Sequence, residues 1–306
     1  MIFKKIILYE SILNKDIEEK LKKKFILKRI DRLLNSSCHL SNVHALFVKL
    51  ENKIDKKFLT RFNNLSYVIS PTTGLTHIDQ NYCRKKKIKI IHLKSNTNLV
   101  KKITATAEYN LSLILLAVRS PHKFFALTKQ KKRNRYFFTS KQFFNYKIGL
   151  IGKGRIGKKL SEYLKNLNFK ILSYDKKIHT KARLYKLLHL SDIISVNINS
   201  AKNNINFIDR DFLNQCKANV KIINSSRGEV INEKHLLKFL KKNKYAEAYL
   251  DCIKDEYNKT DEPFLIKNVN KFNNLFISPH VGGACLDAIE KTEEIVINEF
   301  LKNEKN

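Results

Sequence analysis

The chain has no tryptophan, four prolines, eight glycines and one methionine among 306 residues, while lysine, isoleucine, asparagine and phenylalanine abound. A strongly AT-rich coding sequence would impose that bias everywhere at once, so it forms a background against which local signals stand out. Acidic residues are scarce too: 28 Asp and Glu face 60 Lys and Arg, a formal net charge of +32. Such an excess raises nucleic acid or an anionic membrane as partners. The basic residues are scattered, with only short clusters such as CRKKKIKI (83–90) and KQKKRNR (129–135), which read as solvated helix faces or loops. No recognised binding motif accompanies them, so a specific nucleic-acid function is not expected.

The cysteines, Cys38, Cys83, Cys216, Cys252 and Cys285, are odd in number and widely spaced, with no CxxC. This excludes a disulfide framework and a zinc-type spacing, and fits a reducing cytoplasm. No run approaches the roughly 18 to 20 apolar residues of a membrane span, and the short apolar start breaks at Glu10. Neither secretion nor membrane insertion is expected. Tandem repeats and low-complexity linkers are missing as well, and the length suits two domains of ordinary size.

What is present is an alternation. Over the first third, short apolar runs such as FKKIILYE, HALFVKL, SYVIS and KIKIIHL are separated by charged helical patterns. ATAEYNLSLILLAVR (105–119) follows, a largely apolar helix with no Gly or Pro inside, then an irregular basic stretch to about Tyr146. Beyond it stand six strand candidates: KIGLIG, KILSYD, DIISVNI, NVKIINSS, AEAYLD and NLFISP. Strands alternating with helices imply parallel pairing and an α/β fold. The final LDAIEKTEEIVINEFLKN (286–303) reads as an amphipathic helix returning to the first lobe.

KIGLIGKGRIGKKLSEYL places Gly152, Gly154 and Gly157 between a strand and a helix. The first glycine permits a tight turn, the second lets backbone approach a pyrophosphate, and the third allows close helix-to-strand packing. The helix N-terminus, at Arg155 and Ile156, offers N–H groups and a positive dipole end. The next strand ends in Asp175, at the separation where a carboxylate binds both ribose hydroxyls and repels a 2′-phosphate. NAD is favoured over NADP, although Lys176 and Lys177 soften that preference.

Several further motifs stand in one order from about Val48 to the C-terminus: TTGLTHID, ATAEYNLSLILLAVR, GLIGKGRIG, INSSRGEVIN, YLDCIKDE and ISPHVGG. In this the chain resembles the D-isomer-specific 2-hydroxyacid dehydrogenase family. The resemblance implies a Rossmann NAD-binding domain (98–285) inserted into a smaller flavodoxin-like substrate domain (1–97 and 286–306), and a homodimer built through the Rossmann lobe. It implies an NAD-dependent oxidoreductase interconverting a D-2-hydroxy acid and its 2-keto acid. Short-form 3-phosphoglycerate dehydrogenase is the sharpest specific expectation, with glyoxylate or hydroxypyruvate reduction close behind. Formate dehydrogenase is disfavoured because that relative pairs its histidine with Gln. The alternative is a non-catalytic NAD(H)-sensing scaffold of the same fold.

Arg227, at the carboxyl end of a strand, suits a bidentate hold on a substrate carboxylate beside the keto oxygen. His280 suits proton transfer near neutral pH, and a carboxylate beside it would stabilise the imidazolium. The resemblance makes Glu256 that carboxylate, with Asp255 its rival. A second SPH at Ser120–His122 lies far from any Rossmann strand end, so His122 reads as an ordinary helix or loop residue. From the resemblance, Thr73 and Gly74 bind the substrate carboxylate through backbone N–H groups, while His77 and Asp79 are structural. Asp251 meets the nicotinamide carboxamide, and Asn197, Ser225 and Gly283 line the cofactor cleft. Lys49, at the end of the HALFVKL strand, is placed to reach a distal anionic group of the substrate. No metal is expected. The chain departs from the family at Asn199, where Pro is usual, at Lys153 in the glycine loop, and at Cys252, where Val is usual.

Overall fold

The computed structural model describes residues 4–10, 13–31, 40–93, 97–130, 139–257 and 261–305. Cys38 and most of the KQKKRNR cluster lie outside them. The chain divides into two compact units. The first comprises Met1–Ile103 and Cys285–Asn306 with Tyr257, and the second Thr104–Glu256 and most of the segment up to Ala284. The division after Ile103, rather than near residue 97, has a packing reason: Val100, on the Asn98–Lys101 helical turn, is buried in the first unit's core.

In the first unit five parallel strands, β1 (Ile6–Tyr9), β2 (Ile26–Arg29), β3 (Val43–Phe47), β4 (Tyr67–Ser70) and β5 (Lys89–His92), pair in the order β2-β1-β3-β4-β5. Successive side chains of a strand point to opposite faces, so Ile7, Ala45, Phe47, Ile69 and Ile91 enter one cluster and Leu8, Leu46 and Val68 the other. The first cluster is closed by Ile17 and Leu21 of the Lys15–Lys22 helix and by Val296, Ile297 and Phe300 of the Leu286–Asn303 helix. The C-terminal helix thus belongs to the N-terminal unit. Both faces are covered, as an all-parallel sheet requires.

In the second unit β6 (Lys147–Ile151), β7 (Lys170–Tyr174), β8 (Ile193–Val196), β9 (Lys221–Asn224), β10 (Glu247–Leu250) and β11 (Leu275–Ile277) form one parallel sheet, ordered β11-β10-β9-β8-β6-β7. Ala107, Leu113, Ile114, Ala117 and Val118 of the Ala105–Arg119 helix pack with Leu160 and Leu164 of the Arg155–Asn166 helix on one face. The stretch read as irregular after Arg119 contains a helix, Pro121–Lys129. On it His122 lies edge-on to Phe276, ring centroids 4.8 Å apart, remote from the strand ends that carry chemistry. Strand order reverses between β6 and β8, and such switch points are where open α/β sheets bind ligands. No helix among the described residues is long and apolar enough to cross a membrane.

Candidate active site

The glycine turn follows β6. Gly152 has φ +96°, and a Cβ there would stand 2.3 Å from the Asn197 carbonyl oxygen. At Gly157 a Cβ would meet the Gly152 carbonyl oxygen at 2.0 Å, so the helix can start this close to the strand only on glycine. At Gly154 a Cβ would meet nothing within 4 Å, so there the missing side chain leaves bare backbone. Gly154 is also the N-cap of the Arg155–Asn166 helix and supplies no side-chain cap. The first N–H groups, at Arg155, Ile156 and Gly157, are therefore left without a side-chain acceptor from the cap, as a pyrophosphate site needs.

Asp175, just past β7, accepts hydrogen bonds from the backbone N–H of Lys177 (3.0 Å) and of Lys153 (3.2 Å). These, the Lys177 bond foremost, hold its carboxyl below the usual carboxylate range. Lys153, unusual for the family, thus joins the glycine turn to the acid through its backbone. Asn197, after β8, accepts from Asn110 Nδ2 (3.2 Å) and donates to Ser195. The Ser225 hydroxyl is buried with no hydrogen-bond partner among the described residues, and an orphaned buried hydroxyl calls for one. An acid held ionised just past β7, uncapped helix amides beside bare backbone, and a buried hydroxyl together fit NAD.

Three loops at the carboxyl ends of β9, β10 and β11 carry Arg227, Glu256 and His280. Glu256 Oε1 and His280 Nδ1 are 2.8 Å apart, both side chains mostly buried. The structure thus pairs Glu256, not Asp255, with the histidine; Asp255 is a turn residue at φ +57°. Arg227 extends from the loop after β9, where its Nη1 donates to the Ser226 carbonyl at 2.6 Å.

Each of these loops is fixed by a buried polar side chain that sequence reading did not single out or gave another role. Asn224, fully buried at the end of β9, donates from Nδ2 to the Arg227 carbonyl (2.9 Å) and accepts from the Ser226 N–H and hydroxyl. Glu233 accepts the Lys254 N–H at 2.8 Å, and burial pushes its carboxyl up to about 7. Asp251, 1 % exposed, accepts from the Ser278 hydroxyl (2.7 Å) and from the N–H groups of Val281 and Gly282 (2.8 Å each). Those bonds brace His280, whose backbone is left-handed at φ +53°, a conformation costing a non-glycine residue about 1–2 kcal/mol. Gly228 is another residue missed: a Cβ there would lie 2.0–2.3 Å from the backbone of Ile253 and Lys254. The Arg227 loop and the Glu256 loop are in backbone contact because of it. Gly282 serves similarly, since a Cβ would reach Asp251 Oδ2 at 2.7 Å, whereas Gly283 meets only Thr106 Oγ1 at 3.9 Å.

The remaining expected site residues lie in the first unit. The loop after β4 is shaped by the Thr72 hydroxyl donating to the Gly74 carbonyl (2.8 Å) and by Ser70 Oγ, 3.3 Å from His77 Nε2. His77 is buried and Asp79 caps the Gln80–Lys85 helix, both structural positions. Thr73 is exposed and Gly74 half-buried. Lys49 Nζ lies 2.5 Å from the buried Glu293 carboxylate, an ion pair that occupies the ammonium within this unit.

The sequence profile of the D-isomer-specific 2-hydroxyacid dehydrogenase NAD-binding domain matches residues 111–282. The chain is 28% identical over 271 residues to a glyoxylate reductase of Thermofilum pendens, covering 84% of this chain and 77% of that one. It is 26% identical to a D-3-phosphoglycerate dehydrogenase of Archaeoglobus fulgidus over 80% of this chain but only 46% of that protein. Among solved structures, a D-lactate dehydrogenase from Aquifex aeolicus, crystallised with NAD and lactic acid, shares the fold with a TM-score of 0.82 at 21% identity, over 98% of this chain and 95% of that one. With its glycine turn, its Asp175 and the matched profile spanning more than half its length, the chain belongs to the D-isomer-specific 2-hydroxyacid dehydrogenases, NAD-dependent oxidoreductases that interconvert 2-hydroxy and 2-keto acids.

Proposed function

We propose that Arg227, Glu256 and His280 carry the reaction and that the substrate is a small 2-keto acid of the glyoxylate or hydroxypyruvate class, reduced to its D-2-hydroxy acid. The observation that carries this reading is the 2.8 Å contact between His280 Nδ1 and Glu256 Oε1. A carboxylate there orients the imidazole and stabilises its protonated form, so His280 gives a proton to the carbonyl oxygen during reduction and takes it back during oxidation. Arg227 holds the substrate carboxylate through its planar fork. The Gly152 to Gly157 turn, Asp175, Asn197, Ser225 and Gly283 would hold NAD, which would supply or accept the hydride. Asp251 would meet its carboxamide with the acceptor capacity that remains beside three internal donors. In the first unit, Thr73 and Gly74 offer N–H groups to a substrate carboxylate.

One relative, matched over 77% of its own length, is a glyoxylate reductase, and Lys49 is paired with Glu293, which leaves a phosphorylated substrate without its expected cation. Both favour the small keto acids over phosphohydroxypyruvate. Free thiols at Cys83, Cys216, Cys252 and Cys285 suit a reducing cytoplasm. A homodimer is proposed on the family resemblance, and Phe125, 70 % exposed after the Ala105–Arg119 helix, suits such a contact; a monomeric mass in sedimentation would remove it.

The decisive assay is NADH oxidation with glyoxylate, hydroxypyruvate, pyruvate, 2-oxoglutarate and phosphohydroxypyruvate. Turnover on the first two, lost in His280→Asn, is the expected result. A preference for phosphohydroxypyruvate overturns the substrate class. NADH binding with no turnover on the whole panel overturns the catalytic reading in favour of an NAD-sensing scaffold.

A further inference from the structure

One cluster beside the proposed dyad carries donors of three kinds. A carboxylate oxygen of Asp251, the Cys252 thiol and a ring nitrogen of His280 all lie within 4.8 Å of one another, Asp251 and Cys252 buried and His280 partly so. Linear spacing gave no hint of it, because two donors follow β10 and the third follows β11. We propose that Asp251, Cys252 and His280 form a binding site for a borderline-soft divalent cation of the zinc type, and that its occupancy arrests proton transfer at His280.

The donor set suits that class. Thiolate and imidazole select zinc over magnesium or calcium, which prefer oxygen alone. Bond lengths of about 2.0–2.3 Å set neighbouring donors on zinc roughly 3.5–4 Å apart, so the three need to close by about 1 Å. Asp251 accepts three hydrogen bonds, and a carboxylate has about four acceptor positions, which leaves one, so a metal would compete there with the nicotinamide carboxamide. A metal taken by His280 Nε2 would leave the Glu256 carboxylate on Nδ1, the way metal-bound imidazoles are commonly held. Cys252 Sγ sits 3.7 Å from the Ser226 carbonyl, a weak hydrogen bond that is easily exchanged for a metal. Binding forms the metal–sulfur bond and breaks the S–H bond, and the proton leaves to solvent.

The cation site stands on the cluster itself, and only its inhibitory consequence rests on the catalytic reading. The test is titration of the whole protein with cobalt(II), whose thiolate complexes absorb in the near ultraviolet, and then with zinc. One cobalt per chain with a thiolate band, lost in Cys252→Val and unchanged in Cys216→Ser, is expected. Cys252→Ser covers the case in which the valine variant does not fold. No thiolate band, or a band equal in the Cys252 variants, overturns the site. In the kinetic arm, zinc should suppress NADH oxidation reversibly by chelator, with Cys252→Val active and resistant. Zinc inhibition that persists undiminished in that variant overturns the inhibitory role. A cobalt band in a protein that turns over no keto acid keeps the site and removes the dehydrogenase assignment, so the two failures are distinguishable.

Discussion

The two units share a strand order. Counted from the first strand of each, both run 2-1-3-4-5, and the second adds a sixth strand. What differs is the filling of the switch point. After β6 the chain leaves bare backbone at Gly154. After β1 it places Glu10, 2 % exposed, whose carboxylate accepts the Lys49 N–H (2.6 Å), the Glu51 N–H (3.4 Å) and Asn52 Nδ2 (2.9 Å). One crevice is open to a ligand's phosphates, and the other is plugged from within by the protein's own acid. Topology makes the crevice, and the residues at the strand ends decide who occupies it.

The sharpest way to break this comparison is to substitute His280 in the second unit and Glu10 at the first unit's switch point, and compare turnover. His280→Asn should lower kcat by about 10²–10⁴ while NADH still quenches or enhances fluorescence on binding. Glu10→Gln should leave kcat and NADH affinity nearly untouched, and an equal loss there would show that the first crevice is no plug. Next in size is Gly228→Ala. A Cβ at 2.0 Å from the Ile253 backbone carbon cannot be absorbed by side-chain motion, so the expected cost is about 3 kcal/mol or more, a fall in Tm on the order of 10 °C in a thermal scan.

Glu10→Ala comes third. It strands three donors, at a cost of about 1–3 kcal/mol in urea unfolding, with NADH affinity unchanged. The smallest effect concerns pH. Glu233 has its folded pKa raised to about 7 by burial, so between its unfolded value and 7 the native state binds the extra proton. Its stabilising contribution is therefore complete below about pH 4.5 and is lost as pH rises through 7. Wild-type protein should lose about 1–2 kcal/mol between pH 5 and 8 relative to Glu233→Gln, read as the difference of two pH–Tm curves.

The sheets were legible because parallel strands buried on both faces appear as short apolar runs between turns, as in KIILY or DIISV. His280 and Glu256 were legible through their motifs, and the structure brings them together. The clamps were not. Asn224 looks like one more asparagine in an asparagine-rich chain, and Glu233 like an acid in the first turn of a helix, since its partner Lys254 is 21 positions away. Gly228 follows the arginine that drew attention, and only the proximity of Ile253 shows why no side chain fits. The Pro121–Lys129 helix was hidden by its basic composition and by the proline, which at a first helical turn costs nothing.

The left-handed backbone at His280 also sets which sequences position 280 can hold. Asparagine and glycine accept this conformation readily, aspartate less so, and β-branched residues worst. In a saturation library, soluble yield should follow that order, while activity should survive in histidine alone. Abundance and turnover would therefore rank the same twenty residues differently, and alanine, a customary knockout, would confound the two.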